Sequence, residues 1–279
     1  MRDKTSQILK DNIGDLVDLI DDHATLVVPA DYGGSPGALA REIVRRGYRN
    51  LKLIGGPPSG YVADLLVGAG CVRSIEMPGV TLGDFGLAHR FRSAVSAGTI
   101  EVLDTTCPAF HASIAAARQG LPFIPIRGLI GSDVLRYQTR WKTIDNPYSE
   151  GDQIVLIPAF KPDVVIFHAA YGDRFGNVWI GKNFEVKSIA QAASKVIVSF
   201  ERLYEGNLLD DRHLAPSTVS HIYVTATAQV ARGTWPVALA GEYPVDAAHL
   251  TKYVEMAKTE AGFRSYLDQF VFVKTEVEV

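Results

Sequence analysis

The sequence predicts an α/β fold: an open, mostly parallel, twisted sheet with flanking helices and a more strand-rich C-terminal half. Up to residue 120, short apolar runs alternate with amphipathic stretches, which favours parallel βαβ units with right-handed crossovers. From Gly151 onward, closely spaced apolar runs separated by turn residues favour strands. We expect one domain over residues 1–279.

Four strand–helix pairs account for the N-terminal half. The first is a strand over 25–29 before a helix over 36–46, whose apolar residues recur at helical spacing. The other pairs are predicted over 50–54 and 61–67, 72–76 and 86–97, and 101–104 and 110–119. Gly120 is placed to cap the last of these helices in the left-handed conformation.

The C-terminal half contains four further apolar runs and two helical patterns. The runs are QIVLIP, DVVIFHA, NVWIG and KVIVSF, and the helical patterns cover 247–258 and 262–269. The letters YGDRFGN indicate a hairpin turn between two of the strands. The polar segment 131–151 is expected to be the least ordered part of the chain, and it is a candidate lid or binding loop.

Composition excludes several classes of function. The chain has 28 Lys+Arg against 31 Asp+Glu without long runs of either sign, so we expect no nucleic acid and no membrane as partners. The charged N-terminus lacks the apolar core of a signal peptide, which predicts a cytoplasmic protein. Two cysteines are too few for a disulfide framework, and the histidines show no metal-binding spacing and no clustered carboxylates.

Two glycine-rich turns are the first candidate binding features. The turn Gly33–Gly37 follows a strand and opens a helix, a geometry that can point backbone N–H groups at a phosphate, a carboxylate or an oxyanion. It matches neither the dinucleotide fingerprint nor a P-loop. A second turn, with Gly56, Ser59 and Gly60, follows the next strand, so both turns belong at one sheet edge if these strands are parallel neighbours. Plain tight turns remain the alternative.

Ser35 has two interpretations. The letters GGSPG match the G-x-S-x-G nucleophile elbow, but no later acid and histidine stand out as its partners. The preferred interpretation is that Ser35 caps the helix, with Pro36 as the first helical residue.

Cys107 is the candidate reactive residue. It precedes Pro108 at a helix start, where the helix N-terminus can lower the pKa of a thiol. His111 lies one turn further along. A small buried residue is the alternative for Cys107. His168, in an apolar strand, is predicted to be a hydrogen-bonded core residue rather than a ligand.

Taken together and in order, several stretches resemble the α subunit of family I coenzyme A transferases, in particular the glutaconate CoA-transferase A-like branch. The resemblance covers roughly residues 14–270. Its most specific parts are GGSPGALAREIVRRG, LLVGAGCVRSIEMPGVTLGDFGLAHRFRSAVSAGTIEV, AAARQGLPFIPIRG, and DVVIFHAAYGDRFGNVWIG followed by ASKVIVSFERL.

This resemblance implies a CoA-transferase-type fold, a hetero-oligomer of α and β chains, and transfer of CoA from an acyl-CoA thioester to a free carboxylate. It implies CoA thioester as substrate and no permanently bound cofactor. In that family a glutamate of the β-type half attacks the thioester and becomes a glutamyl-CoA intermediate. No acidic motif here matches it, so a β subunit is the expected partner.

By the same resemblance, the glycine-rich turns and the helix start at Cys107 face that partner. The candidate substrate-binding residues are Gly33, Gly34, Ser35, Gly37, Gly56, Ser59, Gly60 and Cys107. The chain departs from its relatives at TTCPAF, where many carry Gln, and at GPPSG, where an Asn-Ala-Gly turn is usual.

These departures keep other functions open. One is the α subunit of a CoA-thioester or ring-opening hydrolase, in which water replaces the acceptor. Another is a non-catalytic ligand-binding homologue. A sugar-phosphate isomerase would need an acid–base pair near the first turn, and the sequence does not indicate one.

Overall fold

The computed structural model describes residues 8–56 and 58–273, so Pro57 and both ends of the predicted domain lie outside the described residues. The chain forms a main sheet, largely parallel, with helices on both faces, and a smaller antiparallel sheet. The predicted α/β class is confirmed.

The strand–helix alternation of the N-terminal half is present as predicted. It begins after a short helix, α1 (Ile13–Val17). The elements that follow are β1 (Thr25–Val28), α2 (Gly37–Arg46), β2 (Leu51–Gly55), α3 (Tyr61–Gly68), β3 (Val72–Glu76), α4 (His89–Ala97), β4 (Glu101–Val102) and α5 (Cys107–Gln119). Gly47, Gly98 and Gly120 end α2, α4 and α5 in the left-handed conformation, which glycine adopts without steric cost.

The second half is richer in strands, again as predicted. Its elements are β5 (Phe123–Ile126), α6 (Val134–Tyr137), β6 (Lys142–Asp145), β7 (Gln153–Pro158), β8 (Val164–Asp173), β9 (Val178–Trp179), α7 (Phe184–Ala192), β10 (Lys195–Tyr204), β11 (Thr218–Val219), β12 (Ala226–Gln229), α8 (Ala247–Ala257) and α9 (Glu260–Phe270). The predicted hairpin joins β8 to β9, which pair antiparallel.

The main sheet contains a topological switch point beside β1. Strands β4, β3, β2, β1, β8, β10 and β12 lie in that order, and each neighbouring pair is parallel. The chain therefore builds outward from β1 in one direction and later returns to its other side. In open α/β sheets, the crevice at the carboxyl ends of such strands is the usual ligand site.

Alternate side chains of the central strands enter two separate cores. In β1, Leu26 and Val28 face the helices α1, α2, α3, α8 and α9, whereas Val27 faces α5 and α7. In β2, Leu53 joins the first core and Ile54 the second. Because both faces of these strands are buried, successive residues are apolar, and the strands appear in the sequence as continuous apolar runs.

The smaller sheet corrects one expectation. Residues 131–151 are not simply an irregular loop, because β6 within them pairs antiparallel with β7, which also pairs with β5. All four residues of β6 are exposed, so no buried alternation marks the strand in the sequence. Helix α5 packs on this sheet through Ala109 and Ala112, against Val155 and Ile157.

Candidate functional site

The two glycine-rich turns lie side by side at the carboxyl edge of the main sheet. They follow β1 and β2, which are parallel neighbours with Val28 opposite Gly55. Asp31 in the first turn joins them. Its N–H donates to the Pro58 carbonyl at 2.9 Å, and its Oδ2 accepts from the Gly60 N–H at 3.0 Å. The adjacency expected from parallel strands is present.

Asp31 is an acid outside the set of candidate residues predicted from the sequence. Its Oδ1 accepts from the Ser35 hydroxyl at 3.3 Å. Burial raises the pKa of Asp31 from 3.8 to about 7, although hydrogen bonds from Gly60 and Ser35 favour the carboxylate. An acid directly after a strand and before a glycine-rich turn was the available signal. Asp31 therefore gains or loses a proton near neutral pH, at the junction of the two turns.

Ser35 is fully buried, and the structure supports neither of its two interpretations. Helix α2 begins at Gly37 with Pro36 as its N-cap residue and no side-chain capping bond, so the predicted Ser35 cap is wrong. The hydroxyl donates to Asp31 instead. Because Ser35 has no exposed surface, it cannot meet a substrate as the nucleophile of an elbow.

Two glycines of the first turn are required by close packing. Gly34 has a φ of +88°, and a Cβ at this position would overlap the His168 carbonyl oxygen. Its own carbonyl accepts from the His168 N–H at 2.8 Å. A Cβ at Gly37 would lie 2.5 Å from the Trp235 carbonyl oxygen. These residues fasten the turn to β8 and to the segment after β12.

The expected cradle of free N–H groups is only partly available. The N–H groups of Gly33, Gly37 and Gly60 donate to oxygens of this chain, at 2.7, 3.0 and 3.0 Å. Ser59 is buried, and its hydroxyl donates to the Gly56 carbonyl at 2.7 Å. Gly33, Gly37, Ser59 and Gly60 therefore shape the turns rather than offer donors to an anion.

Four side chains next to the turns form what we call the cleft cluster: Tyr32, Cys107, His111 and Glu185. Cys107 is the first residue of α5, where the Thr106 hydroxyl accepts from a backbone N–H as N-cap. His111 follows one turn later, and its Nε2 lies 3.9 Å from Oε2 of Glu185, in the first turn of α7. Burial is the main cause of the raised pKa of Tyr32, and the charges of Glu185 and Cys107 raise it further.

Glu185 connects the cleft cluster to both turns. Its Oε1 lies 3.5 Å from the Ala30 nitrogen in the first turn, and a Cβ at Gly56 in the second would lie 2.9 Å from it. Nothing local in the sequence marks this residue. The packing of α7 beside α5, elements far apart in the chain, brings Glu185 to His111.

The cleft cluster combines acid–base groups with an open side. The Tyr32 residue is 62% exposed and the His111 side chain 47%, whereas that of Glu185 is only 19% exposed. A carboxylate beside an imidazole can hold or pass a proton. The cluster thus presents a carboxylate–imidazole pair on an exposed side of the sheet edge.

His168 is a hydrogen-bonded core residue, as predicted. Its Nδ1 lies 2.8 Å from the Ser199 hydroxyl and its Nε2 lies 3.0 Å from Oε2 of Glu201. Burial lowers the pKa of His168, against the opposing effect of Glu201. The parallel pairing of β8 with β10 places Ser199 opposite His168 and brings Glu201, two residues further along β10, to the same imidazole.

Within residues 8–56 and 58–273, no three His, Cys, Asp or Glu side chains are grouped as metal ligands would be. The same residues contain no helix with the length and apolar character needed to cross a bilayer.

Three relatives are similar to this chain over most of its length. The A subunit of 3-oxoadipate CoA-transferase from Pseudomonas knackmussii is 30% identical, covering 85% of this chain and 83% of the relative. The A subunit of glutaconate CoA-transferase from Acidaminococcus fermentans is 29% identical, covering 85% and 79%. An uncharacterised protein of Archaeoglobus fulgidus is 32% identical over 83% of this chain, which spans only 52% of that relative.

Solved structures show the same fold. Glutaconate CoA-transferase from Acidaminococcus fermentans superposes with a TM-score of 0.89 at 24% identity, covering 96% of this chain and 90% of that one. A variant of the decarboxylase AibA/AibB superposes with a TM-score of 0.83 at 26% identity, covering 94% and 100%. The sequence model described as "Coenzyme A transferase" matches residues 10–225. The chain therefore belongs to the coenzyme A transferase family.

Proposed function

We propose that this chain is the α subunit of a heteromeric acyl-CoA:carboxylate CoA-transferase, and that a partner β subunit supplies the nucleophilic glutamate. Family membership and the two relatives named as A subunits support the proposal. The observation that carries it is the exposure of the cleft cluster. The two turns and the cleft cluster lie together at the carboxyl edge of the sheet, yet Tyr32 is largely exposed and the His111 side chain is about half exposed. Acyl transfer needs water excluded, so a second chain would cover this side.

In this proposal the α subunit forms one wall of the site. The buried turns around Asp31 hold the starts of α2 and α3 in place. His111, paired with Glu185, is placed to hold a proton near the negative charge that develops when a thioester is attacked. CoA thioester and free carboxylate are the proposed small-molecule partners. The cytoplasmic location stays a prediction.

A thioester hydrolase is the second candidate, and one observation favours it. Glu185 is a partly buried carboxylate of this chain within 3.9 Å of His111. Such a pair can act as a general base toward water, and then no acceptor carboxylate would be needed.

Co-expression with a β chain and assay of the purified complex separates the two functions. A transferase moves CoA from an acyl-CoA to an added carboxylate, and borohydride inactivates its β chain only after exposure to acyl-CoA. The variant Glu185→Gln should then retain at least about a tenth of the activity, because the nucleophile lies elsewhere. A hydrolase releases CoA without an acceptor, and the same variant should lose about 100-fold or more.

The matched control is Glu205→Gln, an exposed acid outside the cleft. Full transferase activity of the chain without any partner would refute the heteromeric proposal.

A further inference from the structure

The smaller sheet has one buried face and one open face. In β7, Val155 and Ile157 enter the core against α5, so the alternate residues Ile154 and Leu156 point to the opposite side. We call this opposite side the outer face. It forms a groove of about 420 Å³, and the apolar residues that line the groove are Phe123, Pro125, Ile144, Tyr148, Ile154 and Leu156.

The outer face exposes large apolar side chains together. Phe123 and Ile144 are each about two-fifths exposed, and Tyr148 is 95% exposed. A contiguous exposed apolar surface on a globular protein typically marks an interface. The strand β6, which carries Ile144, is also an edge strand that pairs with β7 on one side only. Edge strands are usually protected or covered, so both features indicate a contact with another chain.

This face lies on the far side of the smaller sheet from the cleft cluster. The inner face packs on α5 through Ala109 and Ala112, and α5 also carries His111. A chain that covers His111 therefore does not by that contact cover the outer face. The β subunit of the proposed function leaves this second surface to be accounted for.

The charges at the two ends of β6 are opposite in sign. Lys142 is the first residue of β6, and Glu150 lies in the turn that joins β6 to β7. Both are exposed, and neither forms an ion pair with any residue in 8–56 or 58–273. Arg127 and Asp152, by contrast, neutralise each other at 2.6 Å. Lys142 and Glu150 thus leave one unpaired positive end and one unpaired negative end.

We propose that the outer face binds a second copy of this chain, with the two groove surfaces packed across a two-fold axis that runs perpendicular to β6. In a two-fold dimer the same surface meets itself, so the surface must be self-complementary. This axis sets the two β6 strands antiparallel. Lys142 of each copy then lies at the end where the other copy carries Glu150, and the two apolar grooves face each other.

The opposite orientation is disfavoured by the same charges. A two-fold axis along β6 would set the strands parallel and bring Lys142 next to Lys142 and Glu150 next to Glu150, and like charges at an interface are repulsive. Tyr148 lies between the centre of the antiparallel contact and Glu150, where it reaches the groove of the other copy. The inference goes beyond the proposed function and does not depend on CoA transfer.

The test is a charge swap, with association measured by sedimentation equilibrium for the full chain alone and for its complex with the β chain. Lys142→Glu or Glu150→Lys alone should weaken self-association about 10-fold or more, because each replaces two attractive contacts by two repulsive ones. The double variant Lys142→Glu/Glu150→Lys should return to within about threefold of wild type, since it restores both pairs with exchanged signs. Arg264→Glu, at an exposed position on α9, is the matched control and should leave association unchanged.

Tyr148→Ser tests the apolar part of the interface. It should weaken self-association by about 10-fold or more, because aromatic residues contribute strongly at interfaces. The circular dichroism spectrum should not change, because Tyr148 is almost fully exposed in the single chain.

Three outcomes would overturn the proposal. The first is a wild type with a single copy of this chain per particle at about 100 μM, alone and in the complex. The second is failure of the double charge variant to recover association. The third is a loss of β-chain binding in Lys142→Glu without a loss of self-association, which would assign the outer face to the β chain. Absence of CoA transfer would refute the proposed function and leave these readings unaffected.

Discussion

Replacing Asp31 by Asn should change the pH dependence of stability in a defined direction. Burial raises the pKa of this carboxyl from 3.8 to about 7 in the folded chain. The folded state therefore keeps a proton that the unfolded state releases between about pH 4 and pH 7. Such a group adds stability below its unfolded pKa, and this contribution is lost as pH rises through the folded pKa.

The magnitude follows from the shift. A displacement of about three pKa units corresponds to about 4 kcal/mol, so the free energy of unfolding of wild type relative to Asp31→Asn should fall by up to that amount between about pH 4 and pH 7. Asn keeps the shape and one acceptor oxygen but does not titrate. Other titrating groups cancel in the difference, because they are common to both proteins.

Urea unfolding at several pH values, followed by circular dichroism, measures this difference. Asp84→Asn is the control, since Asp84 is exposed on a short turn, and its difference curve should be flat. Parallel curves for wild type and Asp31→Asn, or a difference that grows with pH, would refute the assignment of the proton to Asp31.

Two further predictions concern His249 and Gly34. Burial lowers the pKa of His249 to about 4, so the free energy of unfolding should decrease by about 3 kcal/mol as pH falls from about 6.5 to 4. The variant His249→Gln should not show this decrease in the same unfolding assay. A decrease that persists in the variant would assign the titration to another residue. Gly34→Ala should destabilise by about 3 kcal/mol or more or prevent folding, because a Cβ would overlap the His168 carbonyl at positive φ. Gly47→Ala, also at positive φ but with open space around it, should cost only about 1 kcal/mol in thermal or urea unfolding; equal costs would rule out the packing argument.

Much of the fold could be predicted because its signals are local. Buried parallel strands read as apolar runs, amphipathic periodicity marks helices, and glycine marks their left-handed ends. Gly120 ends α5 with a φ of +69°, as expected. The hairpin after β8 is closed by Asp173, whose Oδ1 accepts from the N–H groups of Phe175 and Asn177. Such turns need only neighbouring residues.

The parts that sequence patterns missed depend on contacts between distant segments. Arg140 meets Glu76 across 64 positions, and Glu185 approaches Ala30 across 155. Contacts between residues so far apart leave no periodic pattern in the sequence. The Ser35 cap failed for a different reason. The Ser35 hydroxyl donates a hydrogen bond to Asp31, four residues earlier, and therefore does not accept one from the backbone N–H groups at the helix start.

Helix α5 contributes side chains to two neighbouring features. Cys107 and His111 lie in the cleft cluster, whereas Phe110 and Ser113 on the same helix line a pocket of about 200 Å³ beside the smaller sheet. A single helix thus fixes the distance between the cleft cluster and that pocket. A substitution that tilts or shifts α5 would therefore move the cleft cluster and one wall of the pocket together, so the two features cannot be altered independently through this helix.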